Sequence, residues 1–131
     1  MAAAARSLAA ALLERGELGE VPALLGESLA LSRGLGEPHG VAVCLETFAG
    51  AAALTGEAER AATLFGAGDT VRSSIGALRQ PDQQILYDRW LARTLAQLDN
   101  ATFTARYEEG RSLSLEAACS FALGGAEAFA S

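Results

Sequence analysis

The chain has 131 residues, of which 50% are hydrophobic, 20% charged and 6% aromatic. This length is typical of one domain with its own core, and the excess of Ala and Leu excludes an all-β fold and a disordered chain. The net charge is −6 and every basic residue is arginine, which excludes lysine-dependent phosphate-loop and Schiff-base chemistry and disfavours direct nucleic-acid binding.

Glycine and proline divide the chain into helical segments, and apolar residues recur within them at helical spacing. No segment alternates like a strand, so the sequence predicts an all-α fold of six or seven helices. They are predicted at about residues 3–15, 22–33, 38–55, 57–75, 82–98, 102–109 and 114–123, with a frayed tail at 126–131.

A repeat lies in the spacing of the turns. Gly16-Glu17 and Gly56-Glu57 are forty residues apart, and superposing them aligns large and small apolar positions that let two helices interlock. The predicted packing positions are Leu8, Ala9, Leu12, Leu45, Phe48, Ala49, Ala61, Phe65, Trp90 and Leu91. We therefore expect one domain over residues 1–125, with units at about 1–36, 38–77 and 81–124.

The pattern Leu45-x-x-Phe48-Ala49-x-x-Ala52…Gly56…Ala61-x-x-x-Phe65 resembles the tetratricopeptide-repeat family. The resemblance implies antiparallel helix pairs stacked as a short right-handed solenoid. The chain departs from the family pattern at Arg33 and Ser73, where proline is frequent, and its period exceeds the usual ~34 residues.

A second resemblance lies in two stretches of the chain. The stretches Ala61-Ala62-Thr-Leu64-Phe65-Gly66-Ala67-Gly68 with Ile75-Gly76 and Phe103-x-x-x-Tyr107-x-x-Gly110-Arg111-x-Leu113-Ser114-Leu115-Glu116-x-Ala118 are similar to the C-terminal, tetratricopeptide-like helical-repeat region of bacterial LuxR-type, ATPase-containing transcriptional regulators. This resemblance covers about residues 14–123. It implies a sensor arm that binds a protein partner, the regulator's own ATPase or DNA-binding modules, or a small effector. The ATPase and DNA-binding motifs of such regulators do not occur in this sequence.

In the tetratricopeptide architecture the first helix of each unit lines a concave groove, which here implies groove positions at Arg6, Glu46, Arg89 and Arg93. Three arginines on one concave surface would clamp carboxylates or an acidic peptide. The alternative, which we favour, is that Arg89 and Arg93 pair with Asp82, Asp88 or Glu46 on a solvated face.

Catalytic and metal-binding patterns are missing from the sequence. His39 is the single histidine and has no ligand-spaced companions, and no nucleophile–base set is recognisable. We expect no enzyme activity, no cofactor and no metal. Cys44 and Cys119 are predicted to be buried free thiols of a cytoplasmic protein without a membrane span.

Self-association is the alternative to partner binding. The small residues of Gly50-Ala-Ala-Ala53 would allow helices of two chains to approach closely. A homodimer without a ligand is therefore a second expectation.

Overall fold

The computed structural model describes residues 2–76 and 78–130, with side chains described for residues 4–76 and 78–123. These residues form seven helices and no strand, which confirms the all-α prediction. The helices are α1 (Ala2–Glu14), α2 (Val21–Gly34), α3 (Pro38–Leu54), α4 (Ala58–Ile75), α5 (Pro81–Leu95), α6 (Asn100–Arg111) and α7 (Leu115–Ala130).

The first four helices end in the same turn. A glycine with φ between 63° and 83° follows each of them, at Gly16, Gly36, Gly56 and Gly76, every twenty residues. After α1, α2 and α3 the next glutamate N–H donates to the carbonyl five residues earlier, at 2.9, 2.9 and 2.8 Å. This bond defines the Schellman motif, which requires a left-handed residue and so favours glycine. The forty-residue repeat therefore consists of two twenty-residue helix–turn units.

Helix α3 lies at the centre of the fold. It packs against α1, α2, α4, α5 and α7, and it is buried on nearly every face. Its sequence explains this position, because a helix that is apolar or small all round is suited to a buried site. The helices next to it in the chain, α2 and α4, pack along it, while α1 and α5 flank it.

Helices α4 and α6 cross at two glycines. A Cβ on Gly66 would overlap the carbonyl oxygen of Tyr107, and a Cβ on Gly110 would overlap the carbonyl oxygen of Thr63. The two backbones therefore touch directly, which only glycine permits at both positions. Both glycines belong to the stretches that carry the second resemblance, so a close helix crossing explains why these motifs contain glycine.

Helix α7 folds back over the earlier helices, since its main contacts are with α2, α3 and α4. Its small side chains Ala118, Cys119 and Ala122 are buried there. The sequence predicts a helix end at Gly124-Gly125 and fraying at 126–131, whereas α7 extends to Ala130; Ser131 lies outside the described residues. Within the described part, no helix is both long and apolar enough to cross a membrane.

Arg60 of α4 connects α7 to the rest of the fold through hydrogen bonds. Its Nη1 donates to the Phe121 carbonyl at 3.3 Å and its Nη2 to the Ala122 carbonyl at 2.7 Å. The guanidinium also lies 5.0 Å from the centroid of the Phe121 ring. Burial lowers the pKa of Arg60, an effect that Glu57 opposes.

We expect Arg60→Ala to loosen α7 and to expose the Cys119 thiol. Losing charged hydrogen bonds of this kind corresponds to about a tenfold rise in local opening. Alkylation of Cys119, followed by mass spectrometry, should accelerate by about that factor. Arg106→Ala, at a partly exposed arginine of α6, is the control and should leave the rate unchanged. Equal Cys119 rates in the two variants would show that Arg60 does not hold α7.

Candidate interaction groove

A groove with a volume of about 360 Å³ crosses α1, α3 and α5. Helices α1 and α5 both pack against α3, so α3 forms the floor and the other two form the walls. The lining residues are Arg6, Ser7 and Ala10 of α1, Val43, Glu46 and Thr47 of α3, and Asp82, Gln83, Leu86 and Trp90 of α5. A concave surface of this size is suited to a small molecule or to a few side chains of a partner.

The lining follows the forty-residue repeat. Arg6, Glu46 and Leu86 are spaced by forty residues, and each contributes to the groove. Ala10 and Trp90 occupy the next equivalent position, one helical turn later. The structure places Arg6 and Glu46, two of the predicted groove residues, among the residues that line this groove.

The third unit was assigned the wrong register, because Arg89 and Arg93 do not line the groove. Arg89 forms an ion pair with Glu14 of α1, which is none of the three acidic partners proposed for it. Arg93 is exposed and has no ion pair within the described part of the chain. The three arginines therefore do not converge among the lining residues, and the hypothesis of a three-arginine carboxylate clamp is wrong for this groove.

Trp90 lines the groove beside Leu86, in place of the predicted Arg89 and Arg93. Its ring lies flat against Gly50 of α3, where an added Cβ would be 2.5–2.8 Å from three ring atoms. The side chain is only 4% exposed, and its Nε1 is buried without a hydrogen-bond partner. Trp90 is thus a core residue, as predicted, whose edge also lines the groove.

Glu46 faces the groove, but two arginines already occupy its carboxylate. Arg72 Nε donates to Oε2 at 2.6 Å and Arg72 Nη2 donates to Oε1 at 3.0 Å, while Arg79 Nε donates to Oε2 at 3.0 Å. Gln83 Oε1 accepts a further bond from Arg72 Nη2 at 3.2 Å. Glu46 and Arg72 are each 4% exposed. Glu46 therefore stabilises the floor of the groove and is not free to hold a ligand.

The same network continues to Asp69 of α4. Asp69 pairs with Arg79 and accepts from the hydroxyls of Tyr87, at 2.9 Å, and Tyr107. The Arg79 guanidinium also stacks 3.5 Å from the centroid of the Tyr87 ring. We call Glu46, Asp69, Arg72, Arg79, Gln83, Tyr87 and Tyr107 the polar network; it joins α3, α4, α5, α6 and the turn before α5.

Burial and neighbouring charges shift the pKa values of two tyrosines and one arginine of the network. Burial and the neighbouring Asp69 raise the pKa of Tyr87 and that of Tyr107, so both hydroxyls stay protonated donors. Burial lowers the pKa of Arg79, but Glu46, Tyr87 and Asp69 outweigh this effect and the net shift is upward. The sequence patterns did not reveal Asp69, Arg72 and Arg79, because their main partners lie on other helices or in the turn before α5.

Comparison of the chain with protein-family models, with curated proteins and with solved structures finds no match. The charged groups of the groove outside the polar network are Arg6 on one wall and Asp82 on the other.

Most of the predicted packing residues are inside the core. Ala9, Leu45, Phe48, Ala49, Ala61, Phe65 and Trp90 are buried, and Leu12 and Leu91 are half-buried. Leu8 is 49% exposed, unlike its repeat equivalent Phe48. Phe48 lies beside Val21 and Pro22 at the start of α2. Among the described residues, Leu8 has no equivalent helix packed against it.

The two cysteines and the single histidine are the remaining side chains that could carry chemistry, and they lie in buried or half-buried positions. Cys44 and Cys119 are buried free thiols, and Cys44 Sγ donates to Ser28 Oγ at 3.3 Å. Burial raises the pKa of both thiols. His39 is half-buried at the start of α3, and burial, followed by Arg72 and Arg6, lowers its pKa. No three His, Cys, Asp or Glu side chains in the described ranges are grouped so as to hold a metal.

Proposed function

We propose that this chain is a helical-repeat interaction module that binds a protein partner or a small effector in the groove across α1, α3 and α5. The observation that carries the proposal is the lining itself: three alternate helices contribute residues at repeat-equivalent positions to one concave surface. Side chains on rigid helices, backed by a buried polar network, form a preorganised surface of the kind that binding sites need.

The finer architecture in this proposal is a short tetratricopeptide-like right-handed solenoid. The identical turns at Gly16, Gly36 and Gly56 support it, as does the position of α1, α3 and α5 along one surface. Helix α7 then serves as a cover over α2, α3 and α4 and adds no further layer to the array.

The parent protein in this proposal is a cytoplasmic bacterial transcriptional or signalling regulator of the LuxR-type, ATPase-containing class. The support is the resemblance of the two glycine-containing stretches, whose glycines form the crossing of α4 and α6. Because the chain is acidic, DNA contact is assigned to another module. An ATPase core in the adjoining reading frame would support this assignment, and an adjoining frame of unrelated type would contradict it.

The proposed role is non-catalytic. The Thr47 hydroxyl in the groove donates to the Val43 carbonyl at 2.8 Å, so its proton is directed to the backbone and not toward a base. His39, a potential base, is not among the lining residues. These arrangements favour binding over nucleophilic chemistry.

The test is selection of a displayed random-peptide library on this chain, with Leu86→Arg and Ile85→Arg as a matched pair. Leu86 lines the groove, whereas Ile85 is 58% exposed and lies outside the lining. We expect selected peptides to bind Leu86→Arg at least tenfold more weakly than the wild type and Ile85→Arg with unchanged affinity. Trp90 is the single tryptophan, so its fluorescence reports occupancy directly. Equal affinity for the two variants would contradict the proposal.

The segment Gly50-Ala-Ala-Ala53, which the self-association alternative uses as its contact surface, is largely covered by the chain itself. Gly50 lies under Trp90 of the same chain, and Ala52 and Ala53 are buried in the core. We expect a monomer in sedimentation velocity over a wide concentration range. A tight dimer that persists at low concentration would favour the scaffold alternative.

A further inference from the structure

The groove carries two charges that the fold does not neutralise, one on each wall. Arg6 of α1 is half-buried, and its Nη1 makes one long hydrogen bond, 3.4 Å, to Ser32 Oγ. Asp82 is exposed in the first turn of α5 and has no ion pair among the described side chains. Guanidinium and carboxylate groups with open hydrogen-bonding capacity are suited to recognising groups of opposite charge.

The other charges near the groove are already compensated. Two carboxylates, Glu46 and Asp69, face two guanidiniums, Arg72 and Arg79, in the polar network. Arg89 is paired with Glu14. The pattern that a ligand meets is therefore positive on the α1 wall and negative on the α5 wall.

Apolar side chains share the groove lining with polar ones such as Thr47 and Gln83. Val43 of α3 and Leu86 and Trp90 of α5 line the groove between the walls. Leu86 and Val43 are half-buried, so they offer hydrocarbon surface to a ligand. Such a surface is suited to one or two aliphatic side chains of a partner.

The width of the groove limits the length of its ligand. Helices α1 and α5 each pack against α3, and neighbouring packed helices lie about 8–10 Å apart, so the two walls are at most two such spacings apart. An extended chain advances about 3.3 Å per residue. A segment of at most about six extended residues therefore spans the groove from one charged wall to the other.

We propose, building on the function proposed above, that the groove binds an extended peptide segment of up to about six residues with one acidic end, an apolar centre and one basic end. The acidic side chain pairs with Arg6, the basic side chain with Asp82, and the aliphatic centre lies on Val43, Leu86 and Trp90. The partner is thus a mixed-charge linear segment of a protein, not a uniformly acidic one.

Three capped hexapeptides with the same leucine–alanine centre test this assignment. The first has glutamate and lysine at its two ends, the second glutamate at both ends, and the third lysine at both ends. Titration followed by Trp90 fluorescence and calorimetry should show the mixed peptide binding about fivefold more tightly than either uniform peptide, the size expected for one partly exposed ion pair. The preference should decline with added salt.

Charge reversal in the protein should reverse the preference. Arg6→Glu should favour the two-lysine peptide, Asp82→Lys should favour the two-glutamate peptide, and the double variant should again favour the mixed one. Arg15→Glu and Asp88→Lys, which make the same charge changes outside the lining, are the matched controls. Thermal melts by circular dichroism establish that each variant is folded, and Arg6→Gln replaces Arg6→Glu if the latter unfolds.

The outcomes separate this inference from the function on which it rests. If library-selected peptides bind in the groove but the three hexapeptides bind equally or not at all, the charge assignment is overturned and the proposed function stands. If neither selected peptides nor hexapeptides respond to groove variants, both fail. The predicted ranking together with its reversal supports both.

Discussion

Gly110→Ala is expected to destabilise the chain by at least about 3 kcal/mol. A Cβ at this position overlaps the Thr63 carbonyl of α4, and a backbone atom at a helix crossing cannot move aside as a flexible side chain can. Forced overpacking costs about 1–3 kcal/mol even where side chains can adjust. Gly66→Ala, which overlaps the Tyr107 carbonyl from the other side of the crossing, should behave in the same way. Urea denaturation measures both effects.

Gly26→Ala is the matched control, because it makes the same substitution inside a helix without a clash. A Cβ at Gly26 would lie 3.5 Å from Leu123 Cδ2, an ordinary van der Waals contact. Alanine has the higher helix propensity, so this variant should gain up to about 1 kcal/mol. The two kinds of glycine are thus expected to give effects of opposite sign. A loss below about 1 kcal/mol in both crossing variants would show that α4 and α6 are less closely packed.

Arg72→Met is expected to cost about 3–5 kcal/mol, the range for removing one partner of a buried ion pair. The loss leaves Glu46, at 4% exposure, with one arginine in place of two. Adding Glu46→Leu removes the second charge and should recover a large part of the loss, while Arg79 keeps its pairing with Asp69. Chemical denaturation of the two single variants and the double variant gives the coupling energy directly.

Arg15→Met supplies the comparison for an exposed pair. The side chains of Arg15 and Glu17 are 72% and 54% exposed, and such pairs contribute less than about 1 kcal/mol. The coupling of Glu46 with Arg72 should be several times larger. Additive effects of the two buried substitutions would mean that the polar network does not act as a unit.

The sequence predicts the helices and the first repeat well because their signals are local. Gly16 and Gly56 each require a left-handed turn, and a glycine–glutamate pair marks both. The register of the third unit is the exception. Gly76 continues the glycine series before α5, but α5 ends at Leu95 and is followed by Ala96 with φ −70°, so the glycine turn does not recur after it. The repeat pattern predicts groove positions at Arg89 and Arg93, whereas Leu86 and Trp90 line the groove.

The polar network shows the limit of local patterns. Glu46 is 26 residues from Arg72 and 33 from Arg79, and Asp69 is 38 residues from Tyr107. Only the packing of α3, α4 and α6 brings these side chains together. The packing of α7 against α2, α3 and α4 could not be predicted from local patterns either. Its small buried residues do not specify which helix they contact.

The twenty-residue spacing of the left-handed glycines also limits which changes in length the chain can accept. One residue inserted within α3 would rotate everything after it by about 100° about the helix axis, moving buried side chains such as Phe48 and Ala52 off the core face. The connection between Gly16 and Val21 lies outside the helices and is largely exposed, so an extra residue there leaves both flanking helices in phase. Insertion scanning should therefore give a tolerance profile with the periodicity of the turns.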